Sequence, residues 1–167
     1  AWLEANKAWL ELLRAVKKRV ADTQTNLKPV ALGLLVELVR AADPGSAGKA
    51  VKCVGAEVVA GVQDNKKHVR DKVVETLEQL VTLPDETGQG GGSAPGGMDA
   101  LLPALCGGLH KSVGRAELLN FLTAKCGDLT GPKAVDAHQL LPPLLSCLAD
   151  RNKGTRSAAE ACAVALG

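Results

Sequence analysis

Three histidines, five cysteines and a recurring set of charged turn residues are the groups in this 167-residue chain that could do chemistry. His68, His110 and His138 are dispersed, and none has a carboxylate and a thiol placed beside it as a catalytic constellation requires. His68 and His110 fall in turns and read as solvent-exposed loop residues. No serine stands in a nucleophile-elbow context. No paired carboxylates sit in a glycine-rich or apolar setting that would split their pKa values. Cys53, Cys106, Cys126, Cys147 and Cys162 are odd in number and lack CxxC spacing. A zinc site needs ligands in close pairs, so none is expected. Four of these thiols lie among apolar residues of predicted helices and Cys126 at a helix end, which suits small core-filling residues in a reducing compartment. The reading is of no enzyme, no metal and no cofactor.

The charged turns are different. DTQTNLK (Asp22 to Lys28), DNKKHVR (Asp64 to Arg70), HKSVGR (His110 to Arg115) and DRNKGTR (Asp150 to Arg156) read as one turn written four times. Stacked in register, these turns would place Lys28, Lys66, Lys67, Arg70, Lys111 and Arg115 along one edge, followed by Arg151, Lys153 and Arg156. The aspartates have a structural explanation, since Asp is a good N-cap and turn residue. Arg70 and Arg156 stand six residues after their aspartates, which an inter-repeat Asp–Arg ladder would explain. Lys66, Lys67 and Lys111 sit at loop tips, where contact is a better explanation than stability. A row of cations on a near-neutral protein points to an acidic protein surface as partner.

The elements that must position these turns are helices. Trp2, Trp9, Leu10, Leu13, Val16 and Val20 recur at near-helical spacing over residues 1–21. Pro29 opens PVALGLLVELVRAA, DPGSAG breaks the chain, and the next helix is expected from about Ala47 to Gln63. VRDKVVETLEQLV carries one apolar stripe. ALLPALCGGL, VGRAELLNFLTAKC, AHQLLPPLLSCLA and the stretch from Thr155 to Leu166 complete the set, with Pro142 and Pro143 expected to bend or shorten the preceding helix. Residues 84–97 are glycine-rich and read as a flexible connection; a phosphate-cradling loop would need Gly-Lys-Ser/Thr after a strand. A period in the forties built from helix pairs is the signature of HEAT or armadillo repeats. The expected fold is all-α, a HEAT-repeat α-solenoid of about four helical hairpins, over residues 1–42, 45–83, 98–127 and 132–167.

Composition narrows the partners. Hydrophobic residues make up 46% of the chain and aromatic residues 2%, enough for a core but not for a stacking platform on single-stranded nucleic acid. A net charge of +2 is too small for a general DNA or RNA binder. There is no signal peptide and no apolar run long enough to span a membrane. The chain opens on AWLEANKAWL without an initiator Met and reads as part of something longer.

Three stretches also carry a family resemblance: VGAEVVAGVQDNKKHVRDKVVETLEQLV, GRAELLNFLTAKC and LLPPLLSCLADRNKGTRSAAEACAVAL. Their order resembles the TOG domain, the tubulin-binding HEAT array of the XMAP-type microtubule polymerases, and among these a later, fourth domain of the array. The second matches the family's R-x-E-L-L-x-[W/F]-L pattern. The third matches C-L-x-D-R-N-x-x-V-R with Thr155 in place of Val. A full TOG domain has six repeats, of which this chain would supply the last four. The opening repeat of the family usually presents a Trp at the contact edge; Trp2 and Trp9 lie within a helix and are not assigned that role. The resemblance implies a cytoplasmic, cytoskeletal protein that binds αβ-tubulin or the microtubule through its intra-hairpin loops and promotes plus-end growth. By position the contacts would be Thr25 and Asn26, Lys66 and Lys67, and Lys111 and Arg115, with the Arg151–Asn152–Lys153 turn structural. The alternative is a HEAT scaffold or spacer in a microtubule or ciliary assembly that does not touch tubulin.

Overall fold

Apolar residues at three- and four-residue spacing turn each segment into a helix with one face to bury. The computed structural model describes residues 8–22, 24, 26–42, 44–82, 96–130 and 137–167. Its helices are α1 (Ala8–Val20), α2 (Lys28–Arg40), α3 (Pro44–Ala60), α4 (Lys67–Val81), α5 (Gly96–Leu109), α6 (Arg115–Ala124), α7 (Cys126–Thr130), α8 (Leu141–Leu148) and α9 (Lys153–Leu166). Short 3-10 turns cover Gly61–Gln63 and Ala137–Leu140. No strand occurs among the described residues. Trp2 and residues 84–95 of the glycine-rich connection lie outside them.

The helices form two layers. In one, α1 packs on α3, α3 on α5 and α5 on α8; in the other, α2 packs on α4, α4 on α6 and α6 on α9. Within each hairpin the chain crosses from one layer to the other through a short turn, giving an all-α helical solenoid. Leu13, Leu32, Leu35, Leu77, Leu105 and Leu118 are among the fully buried side chains between the layers. The fit is tight enough to exclude a methyl group. A Cβ on Gly108 of α5 would stand 2.5 Å from Val59 Cγ1 of α3 and 2.7 Å from Leu118 Cδ1 of α6.

Several boundaries differ from the sequence expectation. α3 starts at Pro44, inside the segment expected to break the chain; proline's fixed φ suits the first turn of a helix, where its missing N–H costs nothing. Its α-helical part ends at Ala60, and the last turn tightens to a 3-10 helix. Pro142 and Pro143 neither bend nor shorten a preceding helix: they form the first turn of α8. The third hairpin's second helix starts at Arg115 rather than Val113, because Gly114 takes a left-handed conformation and caps it.

α1 is tied to both layers. The indole N–H of buried Trp9 donates to Leu38 O of α2 at 2.9 Å. Lys17 Nζ donates to Cys53 O of α3 at 2.7 Å and pairs with Glu57 at 3.1 Å. Trp9→Phe keeps most of the apolar contact and removes the donor, so unfolding should become easier by about 1–2 kcal/mol. Urea denaturation followed by circular dichroism measures this, and an unchanged midpoint would show that the bond contributes nothing.

Candidate functional site

Each turn is built on a carboxylate or carbonyl that precedes a basic residue by six positions. Asp64 Oδ1 accepts the Lys66 N–H at 2.9 Å, and Asp150 Oδ1 accepts the Asn152 N–H at 2.7 Å. Asp22 Oδ1 accepts the Gln24 N–H at 3.1 Å. These are Asx turns, not helix N-caps; the N-cap positions belong to Lys66, Gly114 and Asn152. Asn152 does cap α9, accepting from the Gly154 N–H at 2.8 Å.

The arginines close the turns from inside. Arg70 Nη1 donates to Asp64 O at 2.8 Å and Asn65 O at 3.1 Å. Arg156 Nη1 donates to Asp150 O at 2.8 Å and Arg151 O at 3.0 Å. Arg115 does the same in the third turn, with Nε on Leu109 O at 2.9 Å and Nη2 on His110 O at 3.3 Å.

The cations then reach forward. Lys28 Nζ meets Asp64 Oδ2 at 2.8 Å, Arg70 Nε meets Glu117 Oε1 at 3.0 Å, and Arg115 Nη1 meets Asp150 Oδ2. The third turn lacks an aspartate, and Glu117 from the first turn of α6 supplies the carboxylate instead. So the ladder is inter-repeat and runs from Lys28, Arg70 and Arg115 to the following turn, but Arg70 takes Glu117 rather than an aspartate and Arg156 bonds only to the carbonyls of its own turn among the described residues. Burial would raise the Asp64 carboxyl, but the Lys28 ammonium and the Lys66 N–H outweigh it and hold the group below its ordinary value. The Asn152 N–H, then the Arg115 guanidinium, hold Asp150 low in the same way. Burial pushes the Cys106, Cys147 and Cys162 thiols up, which keeps them protonated and poorly nucleophilic.

This ladder sorts the residues singled out in the sequence. Arg115 is spent inside: its side chain is 15% exposed and its nitrogens are aimed at the turn carbonyls and Asp150. Lys66, Lys67 and Lys111 are exposed. Lys67 pairs with Asp71 one turn along α4 at 2.7 Å. Lys66 Nζ lies 3.5 Å from Asn26 Oδ1, which sets the first and second turns side by side. Among the described residues Lys111 makes no ion pair. Thr25 lies outside the described residues. Val113, which sequence reading passed over, stands exposed in the third turn beside Lys111. His68, His110 and His138 are exposed. Among the described residues no three His, Cys, Asp or Glu side chains gather as metal ligands, and no helix is long and apolar enough to cross a membrane. The arrangement offers ammonium groups at loop tips on a stiffened edge, which suits recognition of an acidic surface.

The chain is similar to the plant protein MOR1. It is 28% identical to MOR1 of Oryza sativa subsp. japonica over 155 residues, or 90% of this chain. It is 28% identical to MOR1 of Arabidopsis thaliana over 156 residues, or 91% of this chain. The chain spans only 7% of the length of each of these relatives. No protein-family model matches it.

Proposed function

We propose that this chain is a TOG-like HEAT array of a microtubule-associated protein, and that it holds αβ-tubulin through the turns on one edge. The observation that carries the reading is the division of labour among the cations. Lys28, Arg70 and Arg115 are consumed by the ladder, whereas Lys66, Lys67 and Lys111 stand outward on the same edge with Asn26. The likeness to the two MOR1 proteins supports a microtubule-associated, TOG-containing family. Tethered beside sister domains, such a module would raise the effective tubulin concentration at a growing plus end. It would do so without covalent chemistry. Thr25 belongs to the same proposed edge by position, and Arg115 serves it by holding the third turn in shape.

Co-elution of the chain with unpolymerised αβ-tubulin, at low and at physiological salt, tests this. A complex that weakens with salt is expected. Charge reversal, Lys66→Glu with Lys67→Glu, should lower the affinity at least about tenfold with helicity unchanged. Undiminished binding by that variant would remove the second turn from the contact.

One observation favours a second reading. The strongest ionic contacts of the turn edge are internal, so the edge also makes sense as the stiff spine of a scaffold. Absence of a complex at either salt would support that reading, a spacer in a microtubule or ciliary assembly.

A further inference from the structure

The helices of the two layers are not equally close. α3 and α5 pack tightly, and in the other layer so do α2 with α4 and α6 with α9, but α4 and α6 touch only sparsely. Between these two lies an open groove of about 440 Å³. Both of its walls are flanked helices, since α2 covers the far side of α4 and α9 the far side of α6. The groove is thus a feature of the middle of the array.

Its floor is apolar and its rim acidic. Phe121 of α6 is buried beneath it and Val74 of α4 is half-buried. Asp71, Glu75 and Glu78 follow one another at intervals of four and three residues, which makes them a single ridge about 10 Å long on the α4 wall. Glu117 opens the α6 wall, and among the described residues no cation lines the groove. Glu117 is held by Arg70 in the ladder. Asp71 takes Lys67 at 2.7 Å; Glu75 takes Lys72 at 2.7 Å and the Gln79 amide at 3.0 Å. These last two ion pairs lie within one helix at the surface, the kind that exchanges at little cost. Glu78 is exposed and makes no ion pair among the described residues.

That combination selects its occupant. A purely apolar segment would desolvate the carboxylates without pairing them, and an acidic one would be repelled. A lysine or arginine brings both halves, an apolar stem for the floor and a charged head for the rim. We infer that the groove between α4 and α6 docks a basic, amphipathic segment of a partner protein. Its cationic side chains lay their stems over Phe121 and Val74 and set their heads on Glu78, Glu75 and Asp71. The groove runs between helix bodies rather than at the turn tips, and it selects positive charge where the turn edge selects negative. It therefore stands independently of the proposed tubulin contact.

A short synthetic peptide of alternating lysine and leucine, titrated into the isotopically labelled 167-residue chain at physiological salt and followed by amide NMR, tests this. Saturable shifts are expected at Val74, Glu78, Asn120 and Ala124. Glu75→Lys with Glu78→Lys should weaken binding at least about tenfold with unchanged circular dichroism. Ala124→Trp should weaken it comparably, because the exposed Ala124 lines the groove and the indole fills it without altering a charge. A peptide of alternating aspartate and leucine should leave these amides unmoved. No binding up to millimolar peptide, shifts that lie away from the groove, or an affinity that neither variant lowers overturns the inference. Equal binding of the aspartate peptide overturns it as well, since the acidic rim would then select nothing.

Discussion

Replacing Gly114 with alanine should destabilise the fold by about 2–4 kcal/mol, from the left-handed backbone and from overpacking together. Gly114 has φ +83° and is the N-cap of α6. An L-residue is strained there by the contact of its Cβ with its own backbone. A second cost comes from the neighbour. The added Cβ would stand 2.5 Å from Val62 Cγ2 and 2.7 Å from Val62 O, and the carbonyl cannot swing aside as a side-chain tip can. Val62 belongs to the 3-10 turn that follows α3, so the clash pushes the third turn off the second. Urea unfolding should show a lower midpoint at an unchanged slope. A loss smaller than about 1 kcal/mol would mean that the turn relaxes freely, and the tight registry of these two turns would then be wrong. If the proposed edge is correct, the variant should also bind tubulin less well than its residual fold would suggest, because Lys111 and Val113 move with the turn.

The second large effect belongs to Asp64. Its side chain is 3% exposed and it serves two masters, the Lys66 N–H and the Lys28 ammonium. Asp64→Ala leaves a largely enclosed ammonium without its counter-ion and a turn N–H without its acceptor, at a cost of about 2–4 kcal/mol. Asp64→Asn keeps an acceptor for the N–H and loses only the charge, so it should cost less than the alanine variant. Equal losses from the two would show that the Asx bond is idle. The double variant with Lys28→Met should be less damaging than the sum of the single ones, since it removes both charges.

Acid should act through the same group. Asp64 and Asp150 titrate below the ordinary carboxyl value in the fold and return to about 3.9 when unfolded. In that range the unfolded chain binds more protons than the native one, so protonation favours unfolding. Stability from this source is complete above the unfolded value and is lost as pH falls through the lower native values. Asp64→Asn should therefore flatten the acid limb of the stability curve as well as lower its plateau.

Much of the architecture could be read before any coordinates, because helix formation depends on local spacing. The stripe through Val69, Val73, Val74, Leu77, Leu80 and Val81 is visible in the sequence and is buried in α4 except at Val74, which is half-buried. What could not be read depends on neighbours thirty to fifty residues away. Trp9 donates to the carbonyl of Leu38, and a backbone acceptor leaves no mark on residue type. The pairing of Arg70 with Glu117 spans a turn that lacks the aspartate of the others, and only the stacked geometry shows which acid takes its place. The six-residue interval from aspartate to basic residue was plain; its meaning was not. The same interval serves a clasp on the turn's own carbonyls and a bridge to the next turn, and the choice among donors lies in three dimensions. Pro44 and Pro142 show a related ambiguity. Proline both ends helices and begins them, and which it does depends on what the next turn packs against. In the turn edge, Lys66, Lys67 and Lys111 and Arg115 looked alike as cations, but only the guanidinium has the fork of donors that a turn of carbonyls can enclose.

The ladder of forward-reaching cations has a mechanical side. Charge-assisted bonds are short and directional, whereas apolar contacts between helices tolerate sliding and tilting. The two-layered array is thus stitched along one margin by successive ion pairs and held elsewhere by apolar contact with scattered polar ties such as Lys17 to Glu57 and Arg40 to Gln79. A bending load should fan the helices at the unstitched margin while the distances between Lys28 and Asp64, Arg70 and Glu117, and Arg115 and Asp150 hold. The turn-to-turn spacing along the edge that presents the lysines is then the quantity such a load changes least.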